Sequence, residues 1–280
     1  MNGTSKRNMD HPARRGEKQV SARPRPLRWR ERALQWLDFS LGRFLDFGCG
    51  PCGLMEQVYD RCVECHGVDV DSDKIEEARA KHANFTLGVI ALDGKTHYPD
   101  DYFDTIAIIE VIEHVPDEST TLAELARILR PGGRLLLTTP HRGWLTFLDV
   151  GNFKFVFPRL HRFIHVRIKG DGGYYQDRFV RGAEKGLIGD ISVSNDRRPW
   201  HRHYKPGQIT TACPPSLVLQ KHAVYFPCLR AMMAVEVALR TASRGRIKNL
   251  PRPLAALERR LSRIESRTGD QLVMLFTKKT

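Results

Sequence analysis

The stretch Leu45-Asp46-Phe47-Gly48-Cys49-Gly50-Pro51-Cys52-Gly53 constrains the fold most, because an apolar run breaks there into closely spaced glycines. Gly48, Gly50 and Gly53 fit G-x-G-x-x-G, which permits a tight strand-to-helix turn and close approach of backbone amides to a ligand. Nicotinamide, flavin and S-adenosylmethionine (SAM) sites share this spacing, as does a turn with no ligand. The residues that follow must separate these readings.

Those residues keep an α/β rhythm. Strands are predicted at 43–47, 66–70, 85–89, 103–109 and 133–139, with helices at 53–61, 72–82 and 118–129 between them. Leu129-Arg130-Pro131-Gly132-Gly133 is a helix stop leading into a buried strand. Further strands are predicted at 217–226 and 271–276, and an amphipathic helix at 27–41 packs on the edge. The fold class is α/β, a doubly wound, Rossmann-like, seven-stranded sheet, mostly parallel with an antiparallel last strand. A substrate cap is inserted over 141–203, where the alternation stops.

Charge divides the chain further. Residues 1–32 hold ten Lys/Arg against three acids, about half of the net charge of +13. Residues 1–26 are therefore expected to be a disordered basic tail, and 27–280 the folded domain. A second insertion, 229–265, reads as basic amphipathic helix, which suits either an anionic membrane surface or a solvated face. No signal peptide or spanning helix is supported, which points to a cytoplasmic chain, with peripheral membrane contact through the basic helices as an added reading.

Cys49-x2-Cys52 and Cys62-x2-Cys65 imitate a four-cysteine zinc site. A helix between the pairs would separate them by about 12 Å, too far for one tetrahedral metal. Asp69, nineteen residues after Gly50, suits a ribose diol, since a carboxylate accepts from both hydroxyls. Asp71 is placed to cap the next helix.

Five segments together resemble the class I SAM-dependent methyltransferases of the type 11/12-like superfamily. They are Leu45 to Gly50, Gly67-Val68-Asp69, Tyr98-Pro99-Asp100-Asp101-Tyr102-Phe103-Asp104, Glu110-Val111-Ile112-Glu113-His114-Val115, and Leu129 to Gly133. The resemblance implies SAM as cofactor, with Asp46, Gly48, Cys49, Gly50 and Gly53 towards its methionine end and Glu110 a further cofactor-binding residue. It implies Asp69 with Val70 at the ribose and Asp93 near the adenine. Cys52 stands where the family commonly has Gly, and Val89 where an acid often follows the Gly.

Methyl transfer is an in-line displacement that needs alignment, and a hydroxyl acceptor also needs a base. His114 is the first candidate base, Glu113 its neighbour and His141 the second candidate. Glu110, Glu113 and His114 also resemble the metal-binding segment of small-RNA 2′-O-methyltransferases and ubiquinone-pathway O-methyltransferases, with His203 or His201 as a further ligand. The metal set Glu110, Glu113, His114 and His203 is the minority reading beside a metal-free site.

Aromatics alternate with cations over 153–163, and Trp200 to Tyr204 is similar to a segment of methyltransferases from polysaccharide and lipid biosynthesis. The expected reaction is O-methylation of a hydroxyl on a glycan, a lipid-linked sugar or a related amphiphilic small molecule. RNA ribose methylation, phenol methylation of the ubiquinone type, and a SAM-fold binding protein without chemistry are the alternatives.

Overall fold

The computed structural model describes residues 33–37, 40–143, 146, 157–181, 202–226, 251–261 and 264–280, with scattered positions between 231 and 243. Seven strands form one sheet: β1 (Gly42–Phe47), β2 (Cys62–Asp69), β3 (Thr86–Val89), β4 (Phe103–Ile109), β5 (Leu129–Pro140), β6 (Leu217–Tyr225) and β7 (Gln271–Lys278). Their order is β3-β2-β1-β4-β5-β7-β6. The first five pair in parallel, and β7 runs antiparallel to both β5 and β6. This is the Rossmann-like sheet expected, and its order reverses between β1 and β4. A crevice for ligands opens at such a switch point, beyond the carboxyl ends of the strands.

The central strands carry continuous apolar runs because both faces of the sheet are covered. Leu45, Phe47, Ile106, Ile108, Leu135 and Leu137 enter one layer, packed against Leu122 and Leu125. Phe44, Ala107 and Leu136 enter the other, with Met55, Ile75 and Ala78. The helices supplying these residues are α1 (Met55–Val58), α2 (Ser72–Lys81) and α3 (Glu118–Ile128). Asp71 and Asp117 cap α2 and α3, accepting from the amides of Lys74 at 3.3 Å and Ser119 at 2.9 Å. Each satisfies a donor that the first helical turn leaves open.

Three elements have boundaries that differ from the sequence reading. The helix predicted over 53–61 is the single turn α1 followed by a 3₁₀ turn, Tyr59–Arg61. Strand β2 begins at Cys62, four residues early, because its register shifts opposite Gly42 and Arg43 and the ladder with β1 extends backwards. Cys62 and Cys65 therefore lie within a strand, and buried Cys65 shares an apolar layer with Cys49 and Cys52. The expected separation by a full helix does not occur. Strand β5 likewise starts at Leu129 and runs through the Pro-Gly-Gly turn, where Gly132 takes φ +73°.

The 1–26 tail lies outside the described residues. Of the 27–41 helix, Leu34, Leu37 and Leu41 are described and buried in the layer with Met55. Within 141–203 the described elements are α4 (Pro158–Phe163), a π-helical turn (Ile164–Lys169), α5 (Gly172–Tyr175) and a second π-helical turn (Gln176–Arg181). They are followed by α6 (Pro206–Ala212) and, in the later insertion, α7 (Arg252–Leu261). Met232 and Leu261 pack against the same layer as Met55. Among the described residues, no helix is long and apolar enough to cross a membrane.

Candidate cofactor and catalytic site

The glycine loop leaves β1 at the switch point. The amides of Gly48 and Cys49 donate to the Val68 carbonyl at 2.7 and 3.0 Å, and that of Cys52 to the Cys49 carbonyl at 2.9 Å. The Gly50 amide donates to Asp69 Oδ2 at 2.8 Å. The amides of 48–50 thus tie the loop after β1 to β2. What the glycines provide is room, since a β-carbon at Gly50 or Gly53 would meet no heavy atom within 4 Å. At Gly48, with φ +83°, a β-carbon would run into Val111. Cys52 also adopts positive φ, +62°, which explains the family's usual glycine there; its buried side chain joins the core instead.

Asp69 ends β2 with both carboxylate oxygens engaged, Oδ2 by Gly50 and Oδ1 by the Asp71 amide at 3.0 Å. Four lone-pair sites serve two amides, so the group is oriented and can still accept from hydroxyls. Asp46 is buried one residue before the end of β1. Val70 follows Asp69. Asp93 is exposed and accepts from the Lys95 amide at 3.1 Å, closing a turn in which Gly94 has φ +74°. Val89 and Leu92, at and just beyond the end of β3, are exposed apolar groups.

Past β4 the carboxylates go to different partners. Glu110 has φ +56° and is held through its own amide and carboxylate by Thr138. With its amide in the hydrogen-bonding orientation, Gln271 donates to both Glu110 oxygens at 3.3 Å. Glu113, only 2% exposed, accepts from Thr139 Oγ1 at 3.0 Å. Since Thr138 and Thr139 project to opposite faces of β5, the two carboxylates are drawn apart. His114 stays with Glu113, its Nε2 lying 3.8 Å from Oε1, and its side chain is 29% exposed. His141, after β5, is buried with Nδ1 2.8 Å from the Gly269 carbonyl. A carbonyl only accepts, so Nδ1 carries the proton and the basic lone pair lies on Nε2.

Arg202 donates to the Val115 carbonyl at 3.0 Å and to Glu118 at 2.6 Å, and Tyr204 also bonds Glu118. These contacts clamp residues 202–204 against the turn that holds Glu113 and His114. Burial, reinforced by Glu118, pushes the Tyr204 phenol well up, so it stays protonated as a donor. His203 lies between the two anchors, and His201 falls outside the described residues. Among the described residues, no three His, Cys, Asp or Glu side chains gather closely enough to hold a metal ion. The set Glu110, Glu113, His114 and His203 therefore does not fit a metal, nor do the paired cysteines.

A methyltransferase domain model matches residues 45–137, from β1 into β5. This region is a methyltransferase domain. The chain is 31% identical over 125 residues to the ubiquinone biosynthesis O-methyltransferase of Aeromonas salmonicida, covering 41% of this chain and 52% of that protein. The enzyme of the same description from Pseudomonas aeruginosa is 27% identical over 189 residues, covering 61% of this chain and 77% of that protein. The chain spans about half the length of the first curated relatives it matches. An S-adenosylmethionine dependent methyltransferase from Mesorhizobium loti shares the fold, with a TM-score of 0.53 and 16% identity over 89% of this chain and 98% of that one. The sheet, the glycine loop and the domain match agree in assigning the class I methyltransferase fold, as the sequence motifs implied.

Proposed function

We propose that the chain is a SAM-dependent O-methyltransferase acting on a hydroxyl of an amphiphilic small molecule. The carrying observation is Asp69, oriented by two backbone amides beside the open space over Gly50 and Gly53. In this reading Asp69 accepts from the ribose hydroxyls, and Val89 and Leu92 offer apolar surface to the adenine, with Asp93 at its edge. Val70, Asp46, Glu110 and the 48–53 loop complete the cofactor site. SAM supplies an electrophilic methyl on a sulfonium.

His114 would take the acceptor hydroxyl's proton and become an imidazolium, while SAM held by the loop and Asp69 would supply the methyl group. Glu113, buried beside it, stabilises that imidazolium. His141 is the second candidate for this proton. The relatives' description favours a phenolic hydroxyl on a lipid-like molecule over a glycan as the first acceptor to test.

The test is calorimetry with SAM together with radiolabelled methyl transfer to phenolic lipids. Asp69→Ala should abolish SAM binding. His114→Ala should keep SAM affinity and lower turnover by about 100-fold or more. Full SAM binding by Asp69→Ala removes the cofactor assignment, and full turnover by His114→Ala removes the base.

A further inference from the structure

The cap segment from Phe157 to Lys169 turns apolar groups outward. Phe157 is 53% exposed, Leu160 48%, Phe163 53% and Val166 40%. A folded domain ordinarily buries such residues, and a contiguous group left in water marks an interaction surface. Between them Arg159, Arg162 and Arg167 are exposed, and the sequence from 157 to 169 contains no carboxylate. The element is held from its inner side: Ile164 and His165 are buried, and His165 Nδ1 lies 3.0 Å from Asp171. Gly170, at φ +69°, turns the chain back so that His165 stacks on Tyr174. Asp171 is thus engaged by His165.

We infer that the outward face of residues 157–167 is a docking surface for an anionic lipid bilayer. The aromatic and aliphatic side chains enter the acyl boundary while the arginines remain among the lipid phosphates, as interfacial helices do. A second copy docking through the same face would set three arginines against three arginines, with no carboxylate from 157–169 on either side. The inference goes beyond the methyl-transfer reading and fails separately from it, since vesicle binding is read without turnover.

The test is sedimentation of the full chain with phosphatidylcholine vesicles containing about one quarter phosphatidylglycerol, at low ionic strength. The wild type should sediment with them and do so weakly with phosphatidylcholine alone. Leu160→Ser/Phe163→Ser, which leaves every charge in place, should lower the partition coefficient at least about tenfold while SAM affinity and Tm stay unchanged. Arg159→Gln/Arg162→Gln should lose binding mainly at low salt. Wild-type protein that remains in the supernatant overturns the proposal. A double serine variant that partitions like wild type overturns it too, because the remaining basic segments would then account for binding. So does a wild-type dimer that the serine variant dissolves.

Discussion

The hydroxyl of Thr138 stands 3.0 Å from the Glu110 carboxylate and 3.2 Å from the Glu110 amide, closing a small ring around a residue at φ +56°. A non-glycine residue there costs about 1–2 kcal/mol, so the ring holds Glu110 in a conformation it would not otherwise keep. Thr138→Val keeps the shape and removes both bonds. It should destabilise the domain by about 1–3 kcal/mol, read by denaturant unfolding, and weaken SAM binding several-fold in calorimetry. Unchanged stability would mean that Glu110 holds its backbone without Thr138.

Two glycines of the loop should respond differently to the same change. Gly48→Ala meets Val111 as well as unfavourable φ, whereas Gly50→Ala, at φ +49°, meets only the backbone strain. The first should cost about 2 kcal/mol or more and be partly relieved by Val111→Ala. The second should cost about 1 kcal/mol in stability, with its main effect on SAM affinity. Equal melting temperatures for the two variants would contradict this division.

Glu124 should make stability fall in acid. Burial works to raise its pKa, but Arg127 at 2.7 Å and the Thr96 hydroxyl and amide outweigh burial and hold it below the ordinary glutamate value. A depressed folded pKa gives stability that is complete above the unfolded value, about 4.3, and is lost as pH falls through the folded one. Glu124→Gln should therefore melt lower than wild type at neutral pH, with the two curves converging as pH drops below about 4. A constant gap down to the lowest accessible pH would refute the linkage.

Among the five described cysteines, Cys62 should alkylate first. It is half-buried, and the neighbouring Cys65 thiol, helped by Arg61, lowers its pKa against the opposing effect of burial. Burial raises Cys49 and Cys213, the latter to about 12, and the hydrogen bond with Cys62, together with burial, raises Cys65, so their thiolates are scarce at neutral pH. Mass spectrometry after brief iodoacetamide treatment should find the label on Cys62, and Cys62→Ser should remove the fast phase. Earlier labelling of Cys65 would show that the contact polarises the pair the other way.

The fold was legible because its signals are local. Apolar runs such as Leu135-Leu136-Leu137, caps such as Asp71 and Asp117, and turn glycines act over a few residues, and their period identifies a parallel sheet. Element edges were less legible where a neighbouring strand set them. Cys62 to Cys65 reads as a segment before a strand until β1 offers hydrogen bonds to it. Cys52 marks the same limit from the other side, since its departure from glycine is visible in sequence while its positive φ and burial are not.

By itself the sequence determined the order of elements, the glycine loop, the acid at Asp69 and the class of fold, because these depend on spacing along one stretch of chain. Tertiary structure decided the partners. Thr138 and Thr139, adjacent in sequence, draw Glu110 and Glu113 to opposite faces of the sheet. Gln271 and Gly269 reach Glu110 and His141 from more than a hundred residues away. The physical reason is that a strand's two faces and an antiparallel return bring together residues with no local pattern in common. A string that looks like one constellation, Glu110-x-x-Glu113-His114, is divided by the pleat of the strand beside it.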